Sequence, residues 1–295
     1  MTGSTLVLVA VPMRLGSISG GRFDLAPAAI QQALDRFVAH RPEDPERLQE
    51  IGVAIEDAGP MEVTSMKPID AFDWIRRGIA LGTEDMGRVQ PNRAVLVLGG
   101  DNSITRPGVH AMTPPPADLE RVGLLTFDAH HDFRPLNGGL TNGNPIRALV
   151  EDGLPGRNVI QVGINAMANS PALARAAEEA GITVVTADEA RRRGVAAVVA
   201  EALDALDGRV NAIYVDLDVD VLDRAFAPAC PGSRPGGLTP AEIQAAAEVC
   251  GGHPKVRAID VVEVDPERDV GDITVLAAAS FVLAFASGLA TRAAA

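Results

Sequence analysis

The chain has 295 residues, 47% of them apolar, which is enough to bury a large core, and we expect a single domain over 1–295. Its formal net charge of −13 favours solubility and repels phosphate backbones and anionic membranes, so neither nucleic acid nor a membrane is an expected partner. The two cysteines lack the paired spacing of a zinc or redox site. No basic segment precedes an apolar core at the start of the sequence, which predicts a cytoplasmic protein.

Short runs rich in valine, isoleucine and leucine alternate along the chain with longer alanine-rich segments of helical period, which is the pattern of repeated βαβ units. Most of these runs are apolar throughout, as in a parallel sheet covered on both faces. The predicted strands are Thr5 to Ala10, Ala94 to Leu98, Val122 to Phe127, Val159 to Val162, Thr183 to Thr186, Ala212 to Leu217 and Val256 to Val262. The predicted helices are Pro27 to Ala39, Ile69 to Leu81, Pro171 to Ala180, Ala187 to Ala205, Pro240 to Val249 and the apolar segment Ile273 to Ala290, where polar interruptions favour a buried helix over a membrane span.

Polar side chains follow four of the predicted strands directly at their carboxyl ends, where open parallel sheets gather their active groups. The stretches are GGDNS after Leu98, DAHHD after Phe127, DLDVDVLD after Val215 and EVDP after Val262. The candidate site residues that they deliver are Asn102, Asp128, His130, Asp132, Asp218, Asp220 and Glu263.

Two acidic clusters among these stretches indicate a metal site. Asp128, His130 and Asp132 are two apart, so extended backbone would point all three to one side, and Asp216–Asp220 repeats this spacing. Such crowding is unfavourable without a cation, and carboxylates outnumber imidazoles, which favours a pair of manganese ions over zinc. For the first cluster alone, the alternative is that Asp128 caps a helix and that His131 and Asp132 are solvated loop residues.

In this order and at these separations, GGDNS, DAHHD, DLDVDVLDRAFAP and EVDP resemble the ureohydrolases, which include arginase, agmatinase and formimidoylglutamase. The resemblance spans the chain from about Leu6 to the final helix. It implies a three-layer α/β/α fold with a parallel sheet of about eight strands, usually in trimers or hexamers. It also implies a binuclear manganese centre whose activated hydroxide hydrolyses a linear C–N bond in a guanidino or formimino compound.

The resemblance implies a set of metal ligands in which two carboxylates bridge the ions and each ion has two further ligands. The bridging residues would be Asp128 and Asp218, one ion would add His130 and Asp220, and the other would add Asp132 and Asn102. The family normally has histidine at the position of Asn102, so one metal position is expected to be weak. A catalytically impaired member that acts as a binding or regulatory protein is therefore the alternative to an active enzyme.

The acidic run admits two registers, because Asp216 and Asp218 also have the spacing of the family pattern. We choose Asp218 and Asp220 because D-x-D-x-x-D then ends on Asp223, followed by the matching F-x-P of Phe226 to Pro228. Asp223 is expected to hold its loop rather than to bind metal.

The resemblance also implies roles for residues around the ions. Asp132 would take up a proton and pass it to the leaving nitrogen, and Glu263 would pair with the cationic guanidino or formimino group. Arginase and agmatinase carry a histidine after DAHxD, whereas this chain has Asn142 among small residues, closer to formimidoylglutamase. Arg134 matches an arginine of that subgroup, so we expect Arg134, Asn142 and Glu263 to bind an acidic substrate. Arg147 could also pair with a substrate carboxylate, but we expect it to lie on a helix surface.

Overall fold

The computed structural model describes residues 3–37, 53–83, 91–114 and 117–292, and these contain an eight-stranded parallel sheet in the order β2-β1-β3-β8-β7-β4-β5-β6. The strands are β1 Ser4–Val11, β2 Val53–Pro60, β3 Arg93–Gly99, β4 Val122–Phe127, β5 Val159–Ile164, β6 Thr183–Thr186, β7 Ala212–Asp218 and β8 Val256–Val262. The helices are α1 Ala26–Leu34, α2 Pro68–Thr83, α3 Thr105–His110, α4 Pro145–Glu151, α5 Pro171–Glu179, α6 Ala187–Arg193, α7 Val195–Asp207, α8 Pro240–Gly252 and α9 Ile273–Thr291.

Both faces of the sheet are covered by helices, which confirms the predicted three-layer architecture. Along β1, Leu6 and Leu8 enter a core shared with α1 and with α6 to α9, whereas Val7 and Val9 enter a second core shared with α2 to α5. Because successive side chains of a strand point to opposite faces, both sets must be apolar. This explains why the central strands lack the alternation of a half-exposed sheet.

Each predicted strand is present. The structure also contains β2, which the sequence pattern did not predict. It lies at the edge of the sheet, is largely exposed, and carries Glu56 and Asp57 in place of an apolar run. The helix predicted over Ala187 to Ala205 is wrong as one unit, because Gly194 adopts a φ of +85° and separates α6 from α7. The predicted first helix ends early, at Leu34, and its last two predicted positions lie outside the described residues.

The last helix, α9, is long and apolar enough to cross a membrane, but 67% of its most apolar window is buried inside the fold. It packs against α8 at a crossing where a glycine of each helix lies against the backbone of the other helix. A Cβ atom on Gly288 would overlap the carbonyl oxygen of Glu248, and one on Gly251 would overlap that of Phe285. The arrangement agrees with the buried final helix predicted from the polar interruptions.

We expect Gly288→Ala to lower the free energy of unfolding by about 1–3 kcal/mol, because the added methyl group must push α9 away from α8. Gly208→Ala is the matched control, since Gly208 ends α7 with a φ of −70° and has open space where the Cβ would lie. Urea denaturation of the two variants measures the difference. Equal free energies of unfolding for the two variants would show that α8 and α9 do not make close contact at Gly288.

Candidate metal centre and active site

The four strands that carry the polar stretches are neighbours in the sheet, in the order β3-β8-β7-β4. Because all of them are parallel, their carboxyl ends meet at one edge. A pocket opens there, and the predicted site residues that line it are His130, Asp132, Arg134, Asn142, Asp218, Asp220 and Glu263. Asn102 and Asp128 are 0% and 1% exposed and lie beneath this lining.

The segment after β4 brings its polar groups together through a tight turn. The Asp128 Oδ1 atom accepts a 2.6 Å hydrogen bond from the His130 backbone N–H in a bend that no helix directly follows, so Asp128 does not cap a helix. Asp132 has a φ of +50°, and the expectation that extended backbone aligns these side chains is therefore wrong. His131 points away and is buried against Gln161, with 2.8 Å between Nδ1 and Oε1.

Asp128, His130 and Asp220 form a group whose potential ligand atoms all lie within 4.8 Å of one another. His130 Nδ1 is 2.6 Å from Asp220 Oδ2, and Asp220 Oδ1 accepts a 2.9 Å hydrogen bond from the Ala129 N–H. The negative charge of Asp220 raises the pKa of His130 to about 11, so without another cation the imidazole carries a proton. A metal ion that binds here must displace this proton, since a ligating imidazole is neutral.

His130 alone cannot offset the negative charges of Asp128, Asp218 and Asp220. Burial, together with the charge of Asp220, raises the pKa of both carboxyl groups well above the usual range. The Asp128 Oδ2 atom is buried and has no hydrogen-bond partner among the described residues. A buried carboxylate oxygen without a partner is costly, and a divalent cation would satisfy it. The side chains present therefore fit a metal ion.

The two registers of the acidic run differ in whether Asp216 or Asp220 belongs to the site. Asp216 lies within β7, opposite Asp260 of β8, and does not line the pocket. Asp218 ends the strand, and its Oδ1 atom accepts a 2.7 Å hydrogen bond from the Asp220 N–H in the following turn. The structure thus brings Asp218 and Asp220 into the pocket and leaves Asp216 in the sheet below it.

Asn102 lies beside Asp132, with its amide nitrogen directed at the carboxylate. Its Nδ2 donates to Asp132 Oδ2 at 2.9 Å, and its Oδ1 accepts from Thr105 Oγ1 at 2.6 Å. Ligation through oxygen would require the amide to rotate by half a turn. Thr105 Oγ1 can accept from the rotated amide, because it is also 2.9 Å from Asp260 Oδ2, to which it can donate its proton.

Asp132 and Glu263 are held in conformations that few residues other than glycine adopt. Their φ values are +50° and +68°, and Asp272 is the only other non-glycine residue with positive φ in the described ranges. Burial raises the pKa of Asp132 to about 7 and, together with the charge of Asp101, that of Glu263 to about 8. A carboxyl group that titrates near neutral pH is suited to proton transfer, and a cationic group beside Glu263 would lower its pKa again and favour the carboxylate form.

Asn142 connects the floor of the pocket to its rim. Its Nδ2 donates to Glu263 Oε1 at 2.9 Å, and its Oδ1 accepts from the Ile18 N–H at 3.0 Å. The same Glu263 oxygen accepts a 2.8 Å hydrogen bond from the Asn102 backbone. Ile18 and Ser19 line the pocket, so Asn142 positions both the rim loop and the carboxylate.

Within the described part of the chain two arginines line the pocket, and sequence reasoning identified one of them. Arg134 is exposed beside Gly143, as the resemblance implied. Arg234, in the stretch GSRPGG, also lines the pocket, and nothing in its local pattern distinguishes it from an ordinary loop residue. Arg147 forms a 2.9 Å ion pair with Glu151 on the outside of α4, as predicted.

The comparisons with known proteins agree with this geometry. The arginase family profile matches residues 4–287. A formimidoylglutamase from Halalkalibacterium halodurans is 33% identical over 283 residues, which cover 95% of this chain and 86% of that protein. The crystal structure of formimidoylglutamase from Bacillus subtilis has a TM-score of 0.88 at 31% identity, covering 98% of this chain and 88% of that one. A Trypanosoma cruzi formiminoglutamase crystallised with manganese has a TM-score of 0.85 at 22% identity, covering 97% and 94%. None of these likenesses favours the impaired alternative.

The Thr105 hydroxyl group is expected to stabilise the buried residues beneath the pocket. Thr105→Val leaves Asn102 Oδ1 and Asp260 Oδ2 each without this partner, so the free energy of unfolding of the metal-free protein should fall by about 1–3 kcal/mol. Thr105→Ser, which keeps the hydroxyl group, should retain most of the stability. Chemical denaturation compares the two variants, and a valine variant as stable as the serine variant would contradict the role of the hydroxyl group.

Proposed function

The chain belongs to the arginase family, and from that premise we propose that it is a manganese-dependent formimidoylglutamase. Family and relatives establish the coarser activity, which is metal-dependent hydrolysis of non-peptide C–N bonds in linear guanidino or formimino compounds. The proposal adds an acidic formimino substrate, a pair of manganese ions and a single-domain homo-oligomer, a trimer or hexamer, in the cytoplasm. The main support for this proposal is that the pocket has carboxylates on its floor and arginine side chains along its wall.

The residues that would hold the two ions are Asp128, Asp218, His130, Asp220, Asp132 and Asn102. The unpartnered Asp128 Oδ2 supports this assignment, and oxygen ligands in the majority favour a hard ion such as manganese. When bound, paired divalent ions lower the pKa of a water molecule enough to supply hydroxide near neutral pH. Asn102 is expected to make its position the weaker one, because an amide oxygen is a poorer ligand than imidazole.

Glu263 is proposed to orient the reacting end of the substrate. Its Oε1 atom is fixed by the Asn102 backbone and by Asn142, and its carboxyl group lines the pocket. A formimino group is cationic when protonated, and a carboxylate can bind two of its N–H groups in a charge-assisted fork. Such a fork fixes the formimino carbon in one orientation over the floor of the pocket.

Asp132 is proposed to carry the proton. Hydrolysis adds the oxygen of water to the formimino carbon, breaks the bond between that carbon and the amino nitrogen, and leaves a proton to be moved to that nitrogen. Asp132 lines the pocket, where the Asn102 amide nitrogen lies 2.9 Å from its Oδ2 atom, and its carboxylate would accept this proton and release it to the leaving nitrogen. The products are then formamide and the free amino acid.

The function is tested by measuring manganese content and formamide or urea release with formiminoglutamate, guanidinobutyrate, arginine and agmatine. We expect formamide release from formiminoglutamate to exceed turnover of the other three substrates. A protein that holds less than about one manganese ion per chain and hydrolyses none of the four would overturn the proposal. Preference for a guanidino substrate would overturn the formimino assignment while leaving the coarser activity in place.

The proposed ligand set is tested by two isosteric variants in the same strand. Asp218→Asn should abolish manganese binding and turnover, because a neutral amide replaces a bridging carboxylate. Asp216→Asn is the matched control, because Asp216 is equally buried, burial raises its pKa well above the usual range, and it faces Asp260 outside the pocket. Metal analysis after dialysis gives the comparison, and loss of manganese in the Asp216 variant alone would reverse the choice of register.

A further inference from the structure

The pocket is divided between negative and positive charge. Asp132, Asp218 and Glu263 lie on its floor, and within the described part of the chain the only Lys or Arg side chains that line it are Arg134 and Arg234. His130 is cationic as well, but its charge is paired with Asp220 at 2.6 Å. Among the charged side chains described in the pocket, the two arginines therefore remain to attract an anionic group.

Arg234 is fixed by backbone groups and has no ionic partner among the residues that the structure describes. Its Nη1 atom donates to the carbonyl oxygens of Pro231, Gly232 and Ser233, at 3.1, 2.7 and 3.0 Å. No carboxylate within the described ranges forms a salt bridge with Arg234, and its Nε and Nη2 atoms have no hydrogen-bond partner there. A guanidinium held in place on one side, with free donors on the other, is prepared to bind a carboxylate.

Other residues already hold the loop that carries Arg234, so a purely structural role leaves its charge and free donors unexplained. Ser233 Oγ donates to the Cys230 carbonyl oxygen at 2.8 Å, and Arg224 Nη1 donates to the same oxygen at 2.6 Å. Farther along, Arg191 Nη2 donates to the Gly237 carbonyl oxygen at 2.8 Å. We expect the loop to keep its conformation when the guanidinium group of Arg234 is removed.

Arg134 comes from a different segment, after β4, and lies along the backbone of Gly143. A Cβ atom on Gly143 would be 2.8 Å from Arg134 Cδ, so this close approach depends on glycine. Arg134 likewise forms no salt bridge with the residues that the structure describes. Two guanidinium groups from separate loops thus line the same pocket, and each can form a fork with one carboxylate.

We infer that Arg234 is a specificity-determining residue, which binds one carboxylate of a substrate that has two, while Arg134 binds the other. This inference rests on the proposed function and deepens it. Glu263 and the acidic floor bind the cationic formimino end, and the two arginines bind the dicarboxylate end. Arg234 thereby distinguishes a formimino diacid from compounds with one carboxylate or none.

The test compares the wild-type enzyme with Arg234→Gln on three substrates: formiminoglutamate, its analogue without the α-carboxylate and its analogue without the γ-carboxylate. We expect Arg234→Gln to raise KM for formiminoglutamate by about 10- to 100-fold, because a charge-assisted hydrogen bond is lost. One of the two analogues lacks the carboxylate that Arg234 binds. For that analogue, wild type and Arg234→Gln should have the same KM. Arg234→Lys, which keeps the charge without the fork, should have an intermediate KM.

Arg147→Gln is the matched control, because Arg147 is a partly exposed arginine outside the pocket, and it should change no KM value. An equal increase in KM for all three substrates, or no increase for any of them, would contradict the proposed role of Arg234. Calorimetric titration with L-glutamate provides a readout without turnover, and Arg234→Gln should weaken its binding by a similar factor. A wild-type protein that hydrolyses no substrate but binds L-glutamate through Arg234 would overturn the proposed function and support the inference.

Discussion

The crowding of carboxylates at the carboxyl edge of the sheet is the constraint on which the rest of the structure depends. Asp128, Asp218 and Asp220 are between 1% and 4% exposed, so their charges are almost completely removed from water. Removing charge from water is costly unless an opposite charge offsets it, and within the described residues His130 offsets only part of it. The pKa values of Asp128 and Asp218 are raised because the rest of the negative charge is not offset. A pair of divalent cations would neutralise it.

A hydrogen-bonded network below the pocket fixes the side chains that surround this charge. Tyr214 and Thr105 are 2.8 and 2.9 Å from the same oxygen of Asp260, and Thr105 continues the network to Asn102. The network requires α3 to approach β7 closely, and Gly108 permits this, because a Cβ atom there would overlap the Tyr214 hydroxyl group. The orientation of the Asn102 amide is therefore set from within the core as well as from the pocket.

The polarity of the pocket follows from the two kinds of element that build it. Strand ends supply the acidic floor, because side chains fixed by the sheet can be held in the strained geometry seen at Glu263. Loops supply the two arginines, and Asn142 joins rim to floor through Ile18 and Glu263. On the proposed function, this polarity would bind a substrate with a cationic amidine at one end and carboxylates at the other in one orientation.

The sequence by itself determined the class of fold and most of the floor of the pocket, because apolar runs and the polar residues that follow them are local features. The positions of Asp128, Asp218 and Glu263 directly after strands predicted that these residues meet at one edge of the sheet. The tertiary structure decided what depends on distant contacts. The strand order β3-β8-β7-β4 makes neighbours of residues far apart in the chain, and β7 keeps Asp216 beneath the pocket. Arg234 was not predicted, because it reaches the pocket through the folding of its loop against Asp220. Gly232 permits this contact, since a Cβ atom there would overlap the Asp220 carboxylate.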